Sequence, residues 1–172
     1  MYRAQTERAA LAHGLDPLLV RAMVQVESGG SPFAWNPEPA YRYVWNVRDS
    51  APFRPLTPSE VRSKYPPADF PCLAGDPDQE WWGQQASWGL LQIMGAVARE
   101  RGCREPYLPA LCDVERNLGL GCAHLKHLLV RAAGKVEKAV GAYNAGWRGW
   151  DSAAGKRYQL KVFAALEKVR AE

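Results

Sequence analysis

At 172 residues the chain is long enough for one domain with a sizeable core. Apolar residues make up 47% and charged residues 23%, an ordinary globular composition that excludes a low-complexity or disordered chain. The net charge of +4, with a pI near 8.9 and no polybasic block, argues against nucleic acid and suits an anionic partner. No apolar run is long enough to span a membrane, so no insertion is expected. Residues 1–14 carry Arg3, Glu7 and Arg8 among alanines and lack the apolar stretch of a secretory signal. Either a signal has been removed or the chain reaches its target by another route.

The first helix is expected over residues 1–13. Asp16-Pro17 starts a second, with Asp as cap and Pro at the first helical position. Leu19, Met23 and Val26 form its apolar face, and Ser28-Gly29-Gly30-Ser31-Pro32 stops it. Residues 31–86 hold 10 of the 13 prolines and 10 of the 18 aromatics. That much proline forbids one regular element, and that many aromatics forbid a free-floating loop. Within the segment, Thr57-Pro58-Ser59-Glu60 is a capping box that predicts a short helix to about Lys64, and Asp76-Pro77 predicts another leading into Trp81-Trp82. One of these two tryptophans, not both, is expected to be buried, because neighbours on a helix point about 100° apart.

The remainder reads as four helices. Leu90, Ile93, Met94 and Val97 share a helical face; Asp113 caps a helix through Leu129; residues 135–145 form another; Tyr158, Val162, Leu166 and Val169 mark the last. No strand pattern of useful length and no internal repeat is visible. The expected fold is mainly α, one domain over residues 1–172 with a long irregular insert at 31–86.

Four cysteines allow three pairings. Buried free thiols and disulfides stand as equal alternatives; if one disulfide forms, Cys103–Cys112 is the first choice, because Pro106 and Pro109 keep the intervening loop from being helical throughout. Cys122, His124 and His127 resemble a metal cluster on paper, but on a helix Cys122 and His124 point to different faces, so no metal and no other cofactor is expected.

Three short segments carry candidate chemistry. Glu27 ends an apolar helix, where partial burial and the negative end of the helix dipole favour the protonated acid that a glycosidase needs. Gln92 is a lone amide among apolar neighbours in Gly89-Leu90-Leu91-Gln92-Ile93-Met94, placed either to bond a sugar or to cap nearby backbone. Ala142-Tyr143-Asn144-Ala145-Gly146 closes a helix; there Tyr143 reads equally as a core residue and Asn144 as part of the turn.

In this order, Glu27-Ser28-Gly29-Gly30-Ser31-Pro32, then Gly89 to Met94, then Ala142 to Gly146, the chain resembles the soluble-type lytic transglycosylase domain, which shares the lysozyme-like fold of goose-type lysozymes. The resemblance covers roughly residues 11–170, and Asn117-Leu118, Gly121 and Leu125 resemble the helix between the second and third motifs. It implies that Glu27 is the catalytic acid and base, and that Ser28, Asn36, Gln92, Tyr143, Asn144 and Tyr158 line the substrate site. Tyr143 matches the tyrosine over the catalytic carboxyl. Leu91 stands where the family usually has Met, a volume-conserving change. Ala154 stands where the family's last helix often has Glu, and the connection between the first two motifs is far longer than usual.

The resemblance further implies cleavage of the MurNAc–GlcNAc bond of peptidoglycan with a 1,6-anhydro product, by a monomer acting in the periplasm or cell wall, from a phage or in processed form. A hydrolytic lysozyme is the alternative and needs a second carboxylate to hold water. The insert offers Glu38, Asp49, Glu60, Asp69, Asp76, Asp78 and Glu80, of which Glu80 lies nearest the groove motif in sequence. A non-catalytic wall-binding or assembly protein on the same fold is the third reading.

Overall fold

A computed structural model describes residues 2–172. Seven helices carry the chain: α1 (Arg3–Ala12), α2 (Pro17–Ser28), α3 (Pro77–Gln84), α4 (Gly95–Glu100), α5 (Val114–Arg131), α6 (Val136–Ala145) and α7 (Ala153–Arg170). Their starts follow the local chemistry. Asp16 accepts from Leu18 N, Asp76 from Gln79 N, Asp113 from Arg116 N and Ser152 from Gly155 N, each satisfying an amide that has no partner within its helix. Gly29 ends α2 in the left-handed conformation (φ 59°), which lets the chain turn directly after Glu27-Ser28.

The main core joins α1, α2, α5, α6 and α7 through Leu19, Val20, Met23, Leu118, Leu125 and Val162. A smaller apolar cluster of Trp88, Ile93, Leu108 and Leu111 lies beside it. The fold is therefore the mainly α, lysozyme-like one expected.

Five short strands escape the sequence pattern because none exceeds three residues. β1 (Trp35–Pro37), β4 (Ala86–Trp88) and β5 (Ile93–Met94) form an antiparallel sheet in the order β1-β4-β5, and β2 (Trp45–Asn46) pairs with β3 (Ala51–Pro52). Asn36 stands opposite Ser87, and Ser87 opposite Met94. The insert is thus pinched at its neck, its first and last residues paired as neighbouring strands. Ile93 and Met94, expected on a helix, instead complete this sheet, because Gly89 (φ 68°) reverses the chain before them and helix α4 begins only at Gly95. The capping box at Thr57 forms, with Thr57 N donating to Glu60 Oε2 (2.7 Å) and Glu60 N to Thr57 Oγ1 (3.4 Å). The helix it starts is only one 3₁₀ turn, Glu60–Arg62, because Ser63 is already extended.

The insert has a small core of its own. Phe70 meets Phe53 and Trp81 edge-on, with ring centroids 5.2 and 5.1 Å away, beside buried Val44. Trp81 is 1% exposed and Trp82 42%, the division expected of helical neighbours. One polar link ties this unit to its own helix α3, and another fastens it to α4. Gln84 gives its amide NH₂ to Trp45 O and takes Trp45 N on its carbonyl. Glu80 and Arg99, both buried, form a two-pronged ion pair at 2.9 and 2.7 Å. Arg99 also donates to the carbonyls of Cys103 and Glu105.

All four cysteines are free thiols, so the expected Cys103–Cys112 disulfide is not formed. Cys103 is drawn toward Arg99, which bonds its carbonyl and lies 4.0 Å from its sulfur, while residues 108–112 coil into a 3₁₀ helix.

Arg99→Met, which strands the Glu80 charge in a dry site, is expected to cost about 3–5 kcal/mol in urea unfolding. Replacing both partners with apolar residues is expected to cost much less, because no unpaired charge is left behind.

Candidate active site

Glu27 occupies the last turn of α2, and α7 packs alongside. Tyr158, buried on α7, donates its hydroxyl to Glu27 Oε1 at 2.5 Å. The carboxyl is pushed up from 4.5 to about 7. Burial is the largest cause; the Tyr158 hydrogen bond works against it, and the negative charge of Glu38 adds to the rise. Burial and the Glu27 charge also hold the Tyr158 and Tyr143 hydroxyls far above the ordinary phenol value, so both remain neutral donors. Tyr143 spends its hydrogen on Leu91 O (2.9 Å) rather than on the carboxyl.

The second motif is a turn locked from behind by Asn117. Its Oδ1 accepts from Leu91 N (2.9 Å), and its Nδ2 donates to Trp88 O (2.8 Å) and Leu111 O (2.9 Å). A Cβ at Gly89 would collide with this side chain, so the turn requires glycine for space as well as for its positive φ. Ser28 ties the turn to α2: its hydroxyl lies 2.9 Å from Leu90 O and 3.1 Å from Val24 O, and it accepts from Gly30 N. Gln92, at φ 44°, donates to Ala34 O (3.0 Å) and Gly89 O (2.9 Å) and accepts from Ser87 Oγ (2.9 Å). Its amide hydrogens are therefore committed to backbone, the capping alternative of the two it offered.

Asn36 lies exposed on β1 and donates to Glu38 Oε1 at 3.0 Å. Asn144 is exposed at the end of α6. Glu27, Tyr143, Tyr158 and the Gly89–Gln92 turn come together. Asn36 reaches them through β1, opposite Ser87, which bonds Gln92. Glu80 does not join them, since both its oxygens are held by Arg99 and Gln84 in a buried site.

Three residues gain a place at the site only through the fold: Glu38, one of seven insert carboxylates in the sequence, Asn117, and His124, which the sequence offered only as a metal ligand. Glu38 lies just past the end of β1, where its N donates to Gln85 O (2.7 Å), a placement that becomes visible only once β1 is recognised. Asn117 holds the motif turn. His124 packs its ring on Tyr143 with centroids 5.3 Å apart, and burial together with the charges of Arg101 and His127 lowers it to about 3, so it is a neutral imidazole. A cavity of about 940 Å³ lies elsewhere, bounded by Arg3, Arg21, Lys161 and Lys168; it reaches Gly29 and Gly30, but Glu27 does not line it.

One carboxyl with a value near 7, pinned by a neutral tyrosine in a mostly dry site, defines a site that can give a proton and take one back near neutrality. Residues 5–164 match the family described as the Transglycosylase SLT domain, and the chain belongs to that family. No curated protein and no solved structure matches the chain significantly. Membership supports a transglycosylase-type domain acting on peptidoglycan. No helix is long and apolar enough to cross a membrane among the described residues.

Tyr158→Phe removes the one hydrogen bond that lowers the Glu27 value, so any activity limited by the protonated acid should persist to higher pH. A pH–rate profile checks the direction. Stability follows the same titration. Because the folded value is raised above 4.5, the contribution of the neutral acid is full below about 4.5 and is lost as pH rises through about 7. Glu27→Gln is therefore expected to stabilise the protein at pH above 7, by at most about 3 kcal/mol, and to do little at acid pH. Thermal melts at two pH values read this out.

Proposed function

We propose that the chain cleaves the MurNAc-β-1,4-GlcNAc bond of peptidoglycan as a lytic transglycosylase, with Glu27 as its single acid and base. The observation that carries this reading is the raised carboxyl of Glu27 beside Tyr158, with Glu80 withdrawn into an ion pair. Protonated Glu27 gives its hydrogen to the glycosidic oxygen as the bond to the MurNAc anomeric carbon breaks. The resulting carboxylate takes the hydrogen of the same sugar's 6-hydroxyl, and that oxygen bonds the anomeric carbon to close the anhydro ring. No water is consumed. The attacking hydroxyl is tethered, and intramolecular attack of this kind reaches effective molarities of about 10⁵–10⁸ M.

Tyr143, Ser28 and Gln92 hold the walls of the site through the backbone of residues 89–92, while Asn144 and Asn36 offer amides to the glycan. The insert shapes the groove through β1, which carries Asn36 and, just past its end, Glu38 toward the acid, and the domain works as one unit over residues 1–172.

One observation favours a hydrolytic second reading. Glu38 is an exposed acid whose charge reaches Glu27, and Asn36 fixes its orientation. A water held by Glu38 would attack in place of the 6-hydroxyl.

Mass spectrometry of digested peptidoglycan separates the two. Anhydro ends, lighter by one water, are expected from the wild type and from Glu38→Gln alike. The Glu38 variant should also lose activity at lower pH than the wild type, since removing a neighbouring negative charge lowers the Glu27 value. Reducing ends that disappear in Glu38→Gln would establish hydrolysis instead. Glu27→Gln is expected to reduce cleavage about 10²–10⁴-fold; a change of only a few-fold would leave the wall-binding reading in place.

A further inference from the structure

α5 carries His124, His127 and Arg131 at i, i+3 and i+7, a spacing that puts all three on one face. The near end of this face meets the active site, where His124 packs on Tyr143. Arg101 follows the end of α4, and its charge bears on both histidines; that of Arg131 adds to it at His127, while Glu100 opposes it there. At the far end, the Arg131 guanidinium lies 4.2 Å and the Lys138 ammonium 4.5 Å from the centre of the Trp147 ring. Lys138 also lies 5.3 Å from the Trp150 ring.

Two cations gathered on one indole repel each other, and among the described residues neither has an ion-pair partner. The rings fix their positions without cancelling their charge. Arg101 is partly neutralised by Glu100, so the positive field grows along the face with distance from Glu27. Two imidazoles lie between the cations: His127, exposed, adds hydrogen-bonding capacity at the surface, and His124 keeps a buried Nδ1 with no partner. From His124 to Arg131 the helix rises about 10 Å.

A glycan strand by itself offers little to such a face, because its sugars carry few charges. The peptide that branches from the lactyl group of each MurNAc begins next to the bond being cleaved, extends away from it and bears several carboxylates. A chain that starts at the active site and carries negative charge away from it suits a strip that begins at Tyr143 and ends in unpaired cations. We propose that the face marked by Arg101, Arg131, Lys138 and Trp147 binds this anionic stem peptide, an inference that rests on the peptidoglycan-cleaving reading above.

The test is calorimetric titration of full-length protein carrying Glu27→Gln, which keeps the strands uncut. The probes are soluble uncrosslinked glycan strands with their stem peptides and the same strands after an amidase has removed them. Peptide-bearing strands should bind about ten-fold tighter, a difference of about 1.4 kcal/mol. Adding Arg131→Gln and Lys138→Gln should erase that difference, and high salt should shrink it with the strip intact. Equal affinity for both strands, or a difference that survives high salt, would overturn the proposal, and the salt arm decides even if the double variant fails to fold. Wild-type cleavage is assayed in parallel by release of muropeptides. No cleavage together with a preserved affinity difference would refute the enzymatic reading alone.

Discussion

The bond from Tyr158 to Glu27 stands between two opposed demands. Burial against α7 pushes the carboxyl toward its neutral form, and the phenol hydrogen stabilises the anion that burial disfavours. The balance falls near 7, where one group can act first as acid and then as base. Much of the helical core serves to keep α2 and α7 at the separation this bond requires. Val20 and Met23 on α2 and Val162 and Leu166 on α7 belong to the same buried cluster. The motif turn then closes the site, held by Ser28 from one side and Asn117 from the other.

The long insert is attached to this core by contacts that leave the acid free. Its neck is a two-strand pairing, its interior a few edge-on aromatic rings, and its main fastening the Glu80–Arg99 pair. Prolines prevent regular structure inside it, yet the attachments are specific enough to deliver Asn36 and Glu38 next to the motif turn. That division explains how a segment without long elements can contribute to a site requiring defined positions: the strands at its base supply the geometry, and the aromatic cluster keeps the rest from unravelling.

The helices were legible in the sequence because several starts are written locally, in Asp16, Asp76 and Asp113, and their faces repeat with the helical period. The strands were not, because two or three residues cannot establish a period, and Leu90, Ile93 and Met94 happen to fit a helical spacing across a turn. The three motif segments were recognisable by type, but the use of each side chain was not. Whether the amide of Gln92 faces a sugar or the backbone depends on Ala34, 58 residues away. Glu80 lay near the groove motif along the chain, and only the fold reveals Arg99 against it. Glu38 needed the register of β1, and the thiol of Cys103 needed the pull of Arg99 on its carbonyl.

The acid and its phenol partner lie 131 residues apart, one near the beginning of the described chain and one in its final helix. During synthesis the segment bearing Glu27 emerges long before Tyr158. Until the last helix docks, the carboxyl lacks both the phenol partner and the burial that α7 contributes. A chain lacking α7 therefore has no Tyr158 to bond Glu27, and the pairing of acid and phenol is made only when that helix docks.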